Sequence, residues 1–238
     1  MSRSTEPITP HELSTTAVLA DWRYLLAALA ARFDTGGFGA GARLVQAIGE
    51  VAGEMDHHPD VDLRYDHVTV RTSSHDVGAV TSRDVDLARR ISELAAEVGA
   101  SARPELVSSL EIGLDVLDEA AVRPFWAAVL GYREGDGDVL DPAGRHAALW
   151  FQQMDEPRAQ RNRFHLDITV PHDVAEQRVA AALAAGGRLL TDGSAPAFWV
   201  LADAEGNEVC VCTWQGRDGS GGDLTDNAPG DASGVTQG

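Results

Sequence analysis

The second half of the chain is written twice. Glu111-Ile112-Gly113-Leu114-Asp115-Val116 leads into an amphipathic stretch that ends at Leu130-Gly131-Tyr132-Arg133. His165-Leu166-Asp167-Ile168-Thr169-Val170 leads into a second one that ends at Gly186-Gly187-Arg188, an offset of 54 to 55 residues. A strand and helix with further strands, repeated once, cannot bury its apolar faces singly, so the two copies predict one domain built from paired units. Parity refines this. Ile112, Leu114 and Val116 share one strand face, as do Leu166, Ile168 and Val170, and Val209 and Val211, and these faces should pack against helices. The opposite faces carry Glu111, Asp115, His165, Asp167, Glu208, Cys210 and Cys212.

Ahead of the repeat, residues 100–104 (Ala-Ser-Ala-Arg-Pro) separate a helical pattern ending at Gly99 from a strand pattern near Leu106. The expected division is therefore a polar segment 1–13, a first domain 14–103, a second domain 104–216 and a Gly-, Asp- and Ser-rich tail 217–238 with almost nothing to bury. Within 1–13, Thr9-Pro10-His11-Glu12 has the form of a capped helix start. In the first domain, Leu44, Val45, Ile48, Val51, Ala52 and Met55 recur at helical spacing, predicting a helix from about residue 40 that Pro59 ends. Val61, Leu63 and Tyr65, then Val68 and Val70, alternate with a parity change at Asp66-His67, which predicts a hairpin. Thr81 and Asp84 read as the cap and third residue of another helix, with Leu87, Ile91, Leu94, Ala95 and Val98 inward and Gly99 after its end. The Leu- and Ala-rich stretch 23–33 favours helix by composition.

The chemistry concentrates in Asp56-His57-His58-Pro59, followed by Tyr65, His75 and Asp84. Three imidazoles supply proton donors and acceptors near neutral pH, and a carboxylate can orient one of them. His57 falls just past the helix C-terminus, where the dipole favours an imidazolium, and is the candidate general acid. Singly, each residue has a plainer reading: a polar helix end for the His pair, turn chemistry for His75, and capping for Asp84.

Taken together, the His-His-Pro, the aromatic six residues on, the histidine ten beyond it and the aspartate nine further resemble the signature of the pterin-4a-carbinolamine dehydratases. The resemblance covers residues 14–99 and includes the aromatics Trp22, Phe33 and Phe38. It implies an α+β domain with a strand inside 23–33, catalytic roles for His57, His58, His75 and Asp84, and substrate contacts for Trp22 and Tyr65. The implied reaction dehydrates a 4a-hydroxytetrahydropterin, such as 4a-hydroxytetrahydrobiopterin, to the quinonoid dihydropterin without a cofactor. The implied assembly is a homo-oligomer, dimer or tetramer. Gly53 stands where the family pattern has an ionisable residue, and Val61 where an aromatic is common.

The repeat, with Phe125-Trp126 on its first helix and the turn 203–208 (Asp-Ala-Glu-Gly-Asn-Glu) before the last strand, resembles the glyoxalase-like branch of the vicinal oxygen chelate superfamily over residues 107–214. That implies paired βαβββ units whose polar strand face lines a cup. Glu111 and His165 fall at metal-ligand positions of the superfamily, but Cys210 stands where a glutamate is expected, and Trp150 or Gln152 lies near the fourth. With that set incomplete, no divalent metal is expected, and Glu111 and His165 would be ligands only if one is found. A metal-free pocket for an unknown small ligand is expected instead, with Glu111, Trp126, Trp150, His165 and Cys210 as candidate lining and Trp199 nearby.

Charge narrows the partners. Nineteen basic against 37 acidic residues, a formal charge of −18, disfavour nucleic acid and anionic membranes. The chain contains no lysine, which excludes side-chain Schiff-base and Walker-type chemistry. No 18-residue apolar run and no signal-like start occur, and Cys210 and Cys212 are too close for an ordinary staple, so a reducing cytoplasmic setting is expected. Two other readings stay open: a dehydratase-like fold used only as a dimerisation or coactivator module, and a second domain that carries the main activity as a lyase, dioxygenase or ligand binder.

Overall fold

In the computed structural model, which describes residues 5–157, 166–213 and 215, the N-terminal segment is tied down almost from its start. Thr9 and Glu12 bond reciprocally as a capping box at α1 (Pro10–Ser14), Leu13 is buried, and the Ile8 N–H donates to Val80 O at 2.8 Å. The polar tail expected over 1–13 is thus, in its described part, packed against the domain, because Ile8 and Leu13 find partners in the core.

β1 (Arg23–Leu25) and β2 (Ala28–Asp34) form an antiparallel hairpin where composition favoured helix. Alternation decides it: Leu29, Ala31 and Phe33 enter the core from one face of β2, a two-residue period no helix reproduces. The turn between them puts Leu26 and Ala27 at φ 46° and 60°, both in the left-handed region that tight hairpins require.

The next helix, α2 (Phe38–Met55), buries Leu44, Ile48, Val51 and Ala52. Gly41 lets it close on the sheet, since a Cβ there would lie 2.5 Å from Leu63 Cδ1. Pro59 does not end it. Asp56 does, by turning to φ 48° so that its N–H reaches Gly53 O at 3.3 Å and that of His57 reaches Ala52 O at 3.1 Å. β3 (Asp60–Leu63) and β4 (His67–Thr72) are the expected hairpin, with Val61 opposite Val70 and Leu63 opposite Val68. α3 (Ser82–Glu97) buries Leu87, Ala88, Ile91 and Ala95. The short β5 (Ser101–Ala102) pairs with the end of β2, giving the order β1-β2-β4-β3 with β5 also against β2. The stretch read as a separator therefore belongs to this sheet, and the Arg103 N–H donates to Arg32 O at 2.8 Å. The chain divides into two units between Ser109 and Leu110.

The second unit shows the repeat directly. β6 (Glu111–Val116), α4 (Glu119–Leu130), β7 (Arg133–Glu134), β8 (Asp138–Leu140) and β9 (Ala148–Gln153) form one module. β10 (Leu166–Thr169), α5 (Ala175–Ala184), β11 (Arg188–Thr191), β12 (Phe198–Ala202) and β13 (Glu208–Cys212) form the other. The sheets run β6-β9-β8-β7 and β10-β13-β12-β11, the first strand of each lying parallel to its last. Leu114, Val116, Val209 and Val211 share one core with Phe125, Trp126 and Val129 of α4, as parity predicts. The turn after β12 fastens the start and the middle of α4: Trp126 Nε1–H donates to Asp203 Oδ2 at 3.0 Å, and the N–H groups of Leu117 and Asp118 donate to the Glu205 carboxylate at 2.8 and 2.6 Å. The fold is α+β throughout. No helix of the described residues is long and apolar enough to cross a membrane.

Candidate functional site

Four residues converge on one buried carboxylate. Asp84, at 0% exposure, receives Thr72 Oγ1 at 2.7 Å and lies 2.7 Å from His57 Nε2, both at Oδ1. Its Oδ2 receives Ser74 Oγ at 2.7 Å and the Thr81 backbone N–H at 2.8 Å. Asp84 thus caps α3 through Oδ2 and meets His57 through Oδ1. Burial pushes its carboxyl up, but the hydrogen bonds from Thr81 N–H, His57, Ser74 and Thr72 prevail, and the group is held below the usual carboxylate range.

The sequence explains why these groups meet. The αL turn at Asp56 pins the His57 backbone to the end of α2. Thr72 closes β4 in phase with Val68 and Val70, so its hydroxyl enters the core row. Ser74 is fixed by an isolated bridge to Ala79, and its hydroxyl also meets Thr81 Oγ1 at 2.8 Å. His57 is consequently 7% exposed, while its neighbour His58 and His75, next to Ser74, are exposed. Two exposed imidazoles thus adjoin, along the chain, the buried His57 and Ser74 that meet Asp84. Arg83 reaches across this loop to Asp76 at 2.7 Å.

Neither expected substrate contact, Trp22 or Tyr65, bonds to Asp84. Trp22 is 2% exposed, packed edge-on against Phe33 at 6.1 Å between ring centroids, with Nε1–H donated to Ser92 Oγ at 3.0 Å. It belongs to the core of the domain and also borders a cavity lined by Leu13, Ala17 and Tyr24. Tyr65 is 79% exposed at the hairpin tip, before the start of β4, whereas Thr72 ends that strand; at about 3.3 Å per residue the strand sets them well over 15 Å apart. Thr72 and Ser74, in contrast, were missed by sequence reasoning. Parity with Val68 and Val70 was the available signal for Thr72.

In the second unit, Glu111, Gly113 and Asp115 of β6 share a face with Trp150 and Gln152 of β9. Trp150 is 39% exposed and lies over Gly113, where a Cβ would approach the indole to 2.9 Å. Trp126 and Trp199 sit instead in the core on the helix side, so neither lines this face. Trp199 shares strand parity with buried Leu201, and Trp126 on α4 donates to Asp203, which accounts for the difference. Cys210 is buried on β13 opposite Asp167, and burial with the Asp167 carboxylate beside it pushes its thiol up to about 12. His165 and the tail 217–238 lie outside the described residues.

Comparison with known proteins gives both halves a family. The pterin 4 alpha carbinolamine dehydratase family model matches residues 6–94, and the glyoxalase-like domain model matches residues 111–212. A Nocardia farcinica protein provisionally named a pterin-4-alpha-carbinolamine dehydratase is 37% identical over 93 residues, 39% of this chain and 98% of that protein. The chain belongs to the pterin-4a-carbinolamine dehydratase family. A Streptomyces coelicolor protein with the same provisional name is 38% identical over 97 residues, 40% of this chain and 96% of its own length. A solved structure described as a transcriptional coactivator/pterin dehydratase from Brucella melitensis aligns at 24% identity with a TM-score of 0.36, covering 38% of this chain and 99% of that one. The dehydratase domain occupies the N-terminal part and a glyoxalase-like domain the C-terminal part. At the departure from the family pattern, Gly53 of the dehydratase domain has open space around the position of a Cβ.

Proposed function

We propose that the dehydratase domain eliminates water from a 4a-hydroxytetrahydropterin, 4a-hydroxytetrahydrobiopterin being the reference substrate, to give the quinonoid dihydropterin. The observation that carries this reading is the Asp84–His57 pair at 2.7 Å, bracketed by exposed His58 and His75. In the reaction the C4a–O bond breaks, the hydroxyl leaves as water with a proton from one imidazole, N5 loses its proton to another, and the C4a–N5 double bond forms. No redox change occurs, and no metal or organic cofactor enters the balance. Asp84 serves by fixing His57, and His57, His58 and His75 are the candidate proton donors and acceptors, the last two the more accessible.

The same reading includes a cytoplasmic homo-oligomer, for which light scattering on purified protein is the measure. For the glyoxalase-like domain it includes a small ligand held against Trp150 with Glu111 on the same face, supported by the exposure of that indole. The deciding experiment is a dehydratase assay on freshly generated 4a-hydroxytetrahydropterin. Acceleration over the spontaneous rate is expected, and a rate equal to the spontaneous one in folded protein would refute the assignment.

A further inference from the structure

Thr72 has no place in the reading so far, yet it is buried and bonded inside the site. It stands opposite Leu29 in β2, in a row that is otherwise apolar. A hydroxyl in such a row is costly unless it is hydrogen-bonded. Here its single hydrogen goes to Asp84 Oδ1 at 2.7 Å, the oxygen that also meets His57 Nε2, and Oγ1 itself stands 3.5 Å from that nitrogen.

We propose that Thr72 acts with Asp84 as a positioning residue that keeps the proton of neutral His57 on Nε2, making Nδ1 the ring nitrogen that exchanges the catalytic proton. The argument is one of hydrogen supply. An ionised carboxylate only accepts, and a hydroxyl that has given its hydrogen to Oδ1 turns a lone pair toward Nε2. Both groups facing Nε2 are then acceptors, so that nitrogen bears hydrogen. A neutral imidazole carries only one, which leaves Nδ1 bare. Thr72 has a second effect through Asp84. Its donated hydrogen draws charge from Oδ1 and moderates the pull of that oxygen on the ring, so the proton on Nδ1 can leave as well as arrive.

The charged groups bearing on His57 are Asp84 from α3 and Asp76 from the loop before it, the latter engaged by Arg83 at 2.7 Å. Asp56 and His58 flank it in the chain. Thr72→Val removes the hydroxyl and keeps the shape, leaving all of these in place.

The inference rests on the dehydratase reading for its catalytic part, so the test has one readout that needs no turnover. Nitrogen-15 NMR of the His57 ring across pH, on full-length protein without substrate, reports which nitrogen is protonated and where the ring titrates. In the wild type the neutral ring should carry hydrogen on Nε2. In Thr72→Val the pH at which the His57 resonances change should move upward, because Oδ1 is left with one donor fewer. The limb of the pH–rate profile should move with it, and Thr72→Ser should return both. Hydrogen on Nδ1 in the neutral wild-type ring overturns the proposal even if Thr72→Val fails to fold. So does an unchanged or lowered midpoint in folded Thr72→Val, or a rate limb that stays while the midpoint moves. If the NMR outcomes hold and the wild type shows no turnover, the proton placement stands and the dehydratase reading is what fails.

Discussion

His57 Nε2 and Asp84 Oδ1 are 2.7 Å apart although 27 residues separate them in the chain. The carboxylate that starts α3 is also the one that holds the imidazole at the end of α2, so helix capping and site geometry depend on the same group. Stability and chemistry should therefore change together when it is altered.

Asp84→Ala should destabilise the dehydratase domain by about 3–5 kcal/mol, because it removes a cap and strands the donors of His57, Thr72, Ser74 and Thr81 in the core. Asp84→Asn, which keeps the shape, should cost less. Since the folded carboxyl lies below its ordinary range, its contribution is complete above the unfolded value of about 3.9 and is lost as pH falls through the folded one. Urea titrations of wild type and Asp84→Asn should differ most near neutrality and begin to converge only as pH falls below about 4. A gap that stays constant down to pH 2 would contradict the account.

His58→Ala and His75→Ala should each lower dehydratase turnover by roughly 10²–10⁴-fold. Both side chains are exposed, so thermal midpoints should scarcely move. Wild-type rates in both variants would remove the histidines from the mechanism.

The cut points are equally specific. A fragment ending at Ser109, where the compact unit ends, should fold and keep any dehydratase activity. One ending at Gly99 loses β5 and the Arg103 bond to Arg32 O and should be measurably less stable. Circular dichroism melts of the two fragments make the comparison, and equal melts would show that β5 contributes nothing.

Much of this was legible in the sequence, for identifiable reasons. The repeat at Glu111 and His165, the alternation around Val61 and Val70, and the 3.6-residue stripes of α2 and α3 are periodic signals that tertiary packing reinforces. Residues 23–33 resisted composition because the strand pairing of Leu29, Ala31 and Phe33 overrides the helix preference of their neighbours. The convergence of Thr72 and Ser74 on Asp84 was not legible, since it depends on how the end of β4 meets the start of α3. Trp22 and Trp126 show the opposite failure. An aromatic at a family position or on a helix face does not reveal whether its ring is packed, and both are in the core, with each indole N–H satisfied by Ser92 or Asp203.

Gly53 offers a test of the one departure inside the dehydratase motif. It lies within α2 with open space around it, so Gly53→Ala should stabilise the domain by about 0.5–1 kcal/mol through helix propensity alone. Gly53→Glu restores an ionisable group four residues before His57. If that group tunes the histidines, Gly53→Glu should alter the pH–rate profile beyond whatever Gly53→Ala does. Identical profiles in the two variants would assign the position to helix stability only.

The glyoxalase-like domain is expected to bind no transition metal through Cys210. A metal-binding cysteine acts as a thiolate, and this thiol, pushed up to about 12 by burial and by Asp167, is protonated at neutral pH. Binding there would have to displace a proton from a buried group beside a carboxylate, which lowers affinity steeply as pH falls. Alkylation of native protein at pH 8 should accordingly be slow at Cys210 and become fast only in denaturant, as peptide mass mapping would resolve. Protein purified without chelator or affinity metal should contain well under one equivalent of zinc, and a Glu111→Ala, His165→Ala double variant should be no different. Near-stoichiometric metal in the wild type that is lost in the double variant would show instead that this domain holds a metal through Glu111 and His165.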